Sequence, residues 1–247
     1  MLLQERIEQC VEPTLKRLKN SLEKRQSVKE MSNINLHLGD CLEAMKEMPD
    51  NAYDLAIVDP PYGLGIDGQK KSISKNPKHN RKEHTHKGWD SSIPSAKYFN
   101  ELFRVSKEQI IWGANYFVEH LHNGTKGWVV WDKMQHGLTM SDCELAYSSF
   151  QKPTRVFYAN RVILQQEGGT IHPTQKPVKL YEWLLDNYAK EGDKILDTHL
   201  GSGSIALACH NRKFDLDAWE IDEEYYNNAV ERLEDHRSQL TIFDVVG

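Results

Sequence analysis

The sequence predicts an α/β fold, a mostly parallel sheet with helices on both faces. Three observations carry that prediction. Short apolar runs alternate with amphipathic stretches, a glycine turn joins one run to a helix, and an acid ends the next run. With 247 residues, 39% hydrophobic and 27% charged, the chain can bury a sizeable core, which excludes wholesale disorder. One domain with an appendage is expected at this length.

Residues 1–31 read as a helical arm, with Leu3, Ile7, Val11, Leu15, Leu18 and Leu22 spaced by three or four. Pro13 suits the first turn of a second helix there. The main domain, residues 32–247, opens with a strand at 34–38, a helix at 41–48 and a Pro49-Asp50-Asn51 turn. A buried strand follows at 53–58. Residues 63–92 lack periodicity and read as a basic mobile loop, a length that is usually functional or disordered. Residues 95–105 suit a helix, 109–112 and 128–131 strands, and 142–166 hairpin material. Then come a helix at 178–189, a strand at 194–196, a helix at 204–211, a strand at 217–220 and a helix at 223–237.

No run approaches 18 apolar residues, and Met1-Leu2-Leu3 leads at once into Gln4-Glu5-Arg6, so neither membrane span nor signal peptide is expected. Cys10, Cys41, Cys143 and Cys209 lack metal or disulfide spacing, and no histidine forms a paired ligand motif. A cytoplasmic protein without a metal site is expected. The net charge of -5 disfavours a passive nucleic-acid coat, yet residues 63–90 carry seven Lys/Arg against three Asp/Glu. A phosphate-facing edge and a merely solvated loop both fit that block.

Three motifs stand out. In Asp197-Thr198-His199-Leu200-Gly201-Ser202-Gly203-Ser204 a strand passes through glycines into a helix. Glycines let a ligand approach the backbone, and a helix N-terminus offers free N–H groups. Glu220, nineteen residues after Gly201, stands where an acid can accept both ribose hydroxyls. No phosphate-loop pattern occurs, which disfavours a nucleoside triphosphate. The second motif, Asp59-Pro60-Pro61-Tyr62, ends a strand. Its carboxylate and the Pro60 carbonyl are acceptors for the two hydrogens of an exocyclic amine, and Tyr62 offers a stacking face. The third is His172-Pro173-Thr174-Gln175-Lys176-Pro177 before a helix. Each motif alone also fits a structural turn or a proline-framed helix entry.

Together the three resemble the S-adenosylmethionine-dependent DNA amino-methyltransferases, in particular the adenine-N6 type, over about residues 35–232. Asp-Pro-Pro-Tyr matches that family's catalytic signature, the Gly201-Ser202-Gly203 turn its cofactor loop, and His-Pro-Thr-Gln-Lys-Pro its third marker. The catalytic signature comes first, the circularly permuted order called the β group. Trp131-Asp132-Lys133 and Glu144-Leu145-Ala146-Tyr147 also look like this group. The resemblance implies a Rossmann-like class I methyltransferase fold, S-adenosyl-L-methionine as cofactor and double-stranded DNA as substrate. It assigns catalysis to Asp59, Pro60, Pro61 and Tyr62. Asp197, Gly201, Ser202 and Gly203 would hold the methionine end with Thr174 and Lys176; Glu220 would take the ribose and Asp40 the adenine end. His199 departs from the family, which has an aromatic ring at this cofactor-flanking position.

No large target-recognition domain is present, so specificity falls to residues 63–92 and 150–171. Lys70, Lys71, Lys75, Lys78, Arg81 and Lys82 are candidate phosphate contacts, and Trp89 a candidate base contact. The arm leaves room for a homodimer, and a companion restriction endonuclease would fit the family. Cytosine N4 is the nearest rival target, although that subfamily typically has Ser in place of Asp59. RNA adenine, a protein glutamine amide and a catalytically silent DNA-binding module are more distant alternatives. Trp112, Trp128, Trp131 and Trp183 read as core or interface, His120 and His122 as surface, and Cys41 and Cys209 as small buried hydrophobes.

Overall fold

A computed structural model describes residues 32–246, apart from 66, 69–87, 89, 122–123, 136, 138–140, 161 and 168. The expected arm at 1–31 lies outside the described residues. So do Lys70, Lys71, Lys75, Lys78, Arg81, Lys82, Trp89 and His122.

Eight strands form one sheet: β1 (Ile34–Leu38), β2 (Tyr53–Val58), β3 (Ser106–Trp112), β4 (Trp128–Asp132), β5 (Cys143–Ser148), β6 (Arg155–Tyr158), β7 (Lys194–Asp197) and β8 (Asp215–Glu220). Their spatial order is β1-β8-β7-β2-β3-β5-β4-β6. All pairs are parallel except the two made by β5, which runs antiparallel to β3 and β4. Among the described residues the α-helices are α1 (Cys41–Glu47), α2 (Ala96–Val105), α3 (Ile163–Gln166), α4 (Val178–Tyr188), α5 (Ser204–Arg212) and α6 (Glu223–Val246).

Alternation along the strands builds two cores. Leu55, Ile57, Ile110, Trp112 and Ile195 join α4, α5 and α6 in one cluster. Ala56, Val58, Ile111 and Leu196 join Met45 of α1 and Tyr98, Phe99, Leu102 and Val105 of α2 in the other. Successive residues thus serve opposite faces, which is why the central strands read as continuous apolar runs. Each fully buried side chain of this size contributes about 1.5–3 kcal/mol.

The expected elements recur, most with ends moved by a few residues. β3 begins three residues before the expected strand, at Ser106. Residues 142–166 do not form one hairpin. β5 is enclosed by β3 and β4, so β6 adds beyond β4 in parallel, with Val130 opposite Val156. Periodicity identified two strands, but which edges were already occupied decided their partners. His120 is another correction: it stacks on Phe99 at 5.0 Å between ring centroids and is not simply a surface residue. Trp112 and Trp131 are fully buried, as expected for core residues.

β7 leads through α5 to β8 on one side, whereas β2 leads to β3 on the other. Adjacent parallel strands whose connections diverge leave a crevice at their carboxyl ends, the usual ligand site in open α/β sheets. No helix among the described residues is long and apolar enough to cross a membrane.

Candidate active site

Three strand ends meet at this crevice. Asp59 follows β2, Asp197 ends β7, and Glu220 ends β8. Parallel pairing of Ala56 with Leu196 and of Asp197 with Ala218 sets them along one sheet edge. A cavity of about 280 Å³ opens at this edge, lined by Asp59, Pro60, Pro61 and Tyr62 on one side and Gly201, Ser202 and Glu220 on the other, whereas Asp197 and Gly203 lie outside its lining. His172, Thr174, Gln175, Lys176 and His199 also line it. The three sequence motifs therefore share one pocket.

The glycine loop is shaped by its backbone. Gly201 and Gly203 have φ of 51° and 72°, left-handed values that favour glycine. A Cβ at residue 203 would also meet the Ala229 Cβ at 3.0 Å. Arg232 of α6 braces the turn from outside the motif, donating from Nη1 to the Ser202 carbonyl at 2.9 Å and the Ser204 Oγ at 3.0 Å. Glu220 accepts from the Gly201 and Asp222 amides at 2.8 and 3.0 Å. Burial, opposed by these amides, raises its carboxyl above the ordinary range.

Asp197 is nearly inaccessible and accepts from the His199 amide at 3.0 Å. Burial pushes its carboxyl up to about 8, with Asp59 and Glu220 adding repulsion. A cation placed there would relieve that penalty. His199, at the position of departure from the family, is held neutral by burial, its ring pushed down to about 4. Its Nδ1 lies 2.9 Å from the Thr198 Oγ1, and its ring meets Tyr98 edge-on.

On the catalytic-signature side, Tyr62 donates its hydroxyl to Asp59 Oδ1 at 2.6 Å. Lys176 donates its ammonium to Asp59 Oδ2 and to the Tyr62 oxygen at 3.2 Å. Lys176, expected at the methionine end, lines the cavity and pairs with the Asp59 carboxylate. It also pairs with Glu144 at 3.1 Å, and Glu144 pairs with Lys133 at 2.8 Å. Although burial pushes the Glu144 carboxyl up, Lys176 and Lys133 outweigh it and hold the group down at about 2. Asp59 itself is raised by burial, against the pull of Lys176.

Asp40 does not line the cavity. It caps α1, its side chain accepting from the Leu42 amide at 2.7 Å. Thr174 hydrogen-bonds His172 Nδ1, whose ring packs edge-on against Tyr225 at 4.5 Å. Tyr62 stacks on Tyr116 at 5.1 Å, and Tyr116 is 41% exposed. Asp90, absent from the sequence prediction, lines the pocket and accepts from the Gly63 amide at 2.8 Å, fixing the exit from the tetrapeptide. Gly113, Arg232 and Lys133 were likewise missed as parts of the site. Gly113 directly follows a strand and Lys133 lies in the Trp131-Asp132-Lys133 stretch that resembles the family, so both left a local signal, whereas Arg232 left none.

Residues 129–231 match the N6_N4_Mtase family model, described as DNA methylase. The type II methyltransferase M.HpaI of Haemophilus parainfluenzae is 24% identical over 242 residues, covering 84% of this chain and 75% of the relative. A solved complex of M1.HpyAVI with SAM superposes at a TM-score of 0.52 with 19% identity, covering 81% of this chain and 99% of that one. The PvuII DNA methyltransferase, described as cytosine-N4-specific, superposes at 0.54 with 14% identity, covering 82% and 86%. The fold is that of the class I methyltransferases. The family match and relatives support a DNA methyltransferase of the N4/N6 type.

Proposed function

We propose that this chain, similar over residues 129–231 to the DNA methylases, transfers the methyl group of S-adenosyl-L-methionine to the N6 amine of adenine in double-stranded DNA. One observation carries the reading: Asp59 and Tyr62 line the same cavity as Gly201 and Glu220. The position of Asp59 before Gly201 in the chain supports the circularly permuted, β-group order.

The pocket fits the cofactor. Glu220, in the cavity lining, suits hydroxyl donors, and Asp197, a buried carboxyl that accepts from the amide of the lining residue His199, suits an ammonium. Gly201 and Gly203 allow close backbone approach at the start of α5. When bound, S-adenosyl-L-methionine supplies an electrophilic methyl group.

The remaining work falls to this chain. An adenine amine is a weak nucleophile because its lone pair is delocalised into the ring. Asp59 and the Pro60 carbonyl accept its two hydrogens, orient the nitrogen and oppose the positive charge that develops on it, and the surplus proton leaves the methylated amine afterwards. Tyr62, with Tyr116 stacked on it, offers a surface to a flipped-out base and offsets part of the few kcal/mol that flipping costs. The basic 63–92 segment supplies phosphate contacts, and residues 150–171, which hold β6 and α3, contribute to target choice.

The test is transfer of labelled methyl to unmethylated genomic DNA, with nucleoside mass spectrometry of the product. N6-methyladenine that disappears with Asp59→Ala, while cofactor binding survives, is expected. Retained turnover in that variant would sink the scheme. A second reading, cytosine N4, is favoured by the likeness to the PvuII enzyme; N4-methylcytosine as the product would establish it.

A further inference from the structure

We propose that Glu144 and Lys133 are positioning residues for methyl transfer: they fix Lys176 between two carboxylates, so that Asp59 is held in place as an acceptor for the amine. The inference rests on the reading of Asp59 given above.

The argument begins with donors and acceptors. An ammonium has three hydrogens and accepts none. Lys176 places its three on Asp59 Oδ2, Glu144 Oε2 and the Tyr62 oxygen. The Tyr62 hydroxyl hydrogen is then directed to Asp59 Oδ1. Each Asp59 oxygen thus receives one donor from the protein and retains acceptor capacity towards the cavity. With its side chain only 1% exposed, Lys176 cannot exchange a lost partner for bulk water. Its ammonium also lies 5.3 Å from the Trp112 ring centroid and 5.7 Å from that of Tyr62. Glu144 therefore determines how much of Lys176 is committed to Asp59.

The antiparallel strand supplies this partner. β5 pairs with β4 through Trp131 opposite Glu144, and the Lys133 amide donates to the Asp142 carbonyl at 2.9 Å. That pairing sets Lys133 beside Glu144, where its ammonium takes Oε1 at 2.8 Å. Two cations and two anions balance, which a nearly dry site requires. Lys133 is 7% exposed, and no position in the three motifs accounts for burying it.

Asp59 is faced directly by Lys176 and Tyr62, with Glu144 and Asp197 acting on it electrostatically and the Tyr98 and Tyr181 phenols also within that field. Lys176 favours its ionised form, whereas Glu144 disfavours it. The two substitutions should consequently act with opposite signs. Glu144→Gln removes a negative charge, so Asp59 should titrate at lower pH. Lys133→Met leaves the Glu144 charge less neutralised, so Asp59 should titrate at higher pH.

The experiment follows the Asp59 carboxyl by ¹³C NMR in the full chain, assigned with Asp59→Asn, alongside single-turnover methylation and cofactor binding. Glu144→Gln is expected to lower the Asp59 midpoint and slow single turnover by about tenfold or more, the scale of a buried polar group left unpaired, with cofactor affinity unchanged. Lys133→Met is expected to raise the midpoint. The Lys133→Met/Glu144→Gln double variant keeps the buried charge balanced, guards against misfolding, and should show the same loss of rate with a smaller lowering of the Asp59 midpoint than Glu144→Gln. Unmoved midpoints, or a rate loss matched by an equal loss of cofactor affinity, overturn the proposal. A wild-type chain that methylates no DNA overturns the proposed function instead, while the midpoints still decide whether Glu144 and Lys133 govern Asp59.

Discussion

Gly113 and Tyr62 compete for one space: a Cβ on residue 113 would lie 2.0 Å from the Tyr62 ring. Gly113 has φ of 69°, and its amide donates to the Leu145 carbonyl at 2.8 Å. The turn after β3 is thereby tied to β5 while leaving room for the ring that donates to Asp59.

Gly113→Ala should push Tyr62 off Asp59. The left-handed backbone adds a cost of roughly 1–2 kcal/mol for a residue with a side chain. The expected outcome is a folded protein with a lowered melting temperature, near-normal cofactor binding and severely reduced methylation. Thermal unfolding, calorimetric titration and single-turnover rates check these three outcomes separately. Near-normal methylation would show that Tyr62 need not hold its observed position.

If Asp197 takes the cofactor's ammonium, as proposed, cofactor binding should depend on pH. Its carboxyl, raised by burial to about 8, is largely protonated at neutral pH until a cation arrives. Affinity for S-adenosyl-L-methionine should therefore rise with pH towards about 8, with proton release on binding below that value. Calorimetry in buffers of different ionisation enthalpy measures the released proton. The same shift affects stability. With the folded value above the unfolded value of 3.8, this group's contribution is fully present below 3.8 and is lost as pH rises towards about 8. Asp197→Asn should gain stability relative to wild type across that window while losing cofactor binding, as paired denaturation curves at several pH values would reveal.

Glu220 anchors the loop, and in the proposed function it also takes the ligand's hydroxyls. Its carboxylate accepts from the Gly201 amide, so Glu220→Ala removes a loop anchor together with the hydroxyl acceptor. Cofactor affinity should fall by about 1–3 kcal/mol, the scale of a buried group left unpaired. Glu220→Gln keeps one acceptor oxygen and should lose less. Isothermal titration of both variants gives the ordering, and equal losses would argue against the double role.

The basic segment predicts a salt signature. If Lys70, Lys71, Lys75, Lys78, Arg81 and Lys82 contact phosphates, replacing several with alanine should flatten the plot of log affinity against log salt. Each lost contact should remove about 0.9 from the slope on duplex DNA. DNA-binding titrations at graded salt measure it. An unchanged slope would return these residues to a solvated loop.

Much of this protein is legible in local pattern. The strands Ile34–Leu38 and Tyr53–Val58 are legible with their observed ends, the first from apolar alternation and the second from a buried apolar run, each beside a turn. The glycine loop, the Asp-Pro-Pro-Tyr tetrapeptide and Glu220 were also legible, since each depends on residue types at short spacing. The contacts that Asp40 and Lys176 make were not legible in spacing. The Asp40 carboxylate caps α1, and the Lys176 ammonium lies on Asp59, 117 positions away in the chain.

Local pattern specifies the alternating elements, the strand ends that carry acids and the glycine turn into α5. These follow from steric and hydrophobic preferences acting within a few residues. Tertiary structure alone decided that β5 enters between β3 and β4, which brings Glu144 to Lys176, and that Gly113 makes room for Tyr62. The physical reason is that ion pairing and close packing depend on distance through space, whereas the local pattern of a chain specifies only distance along it.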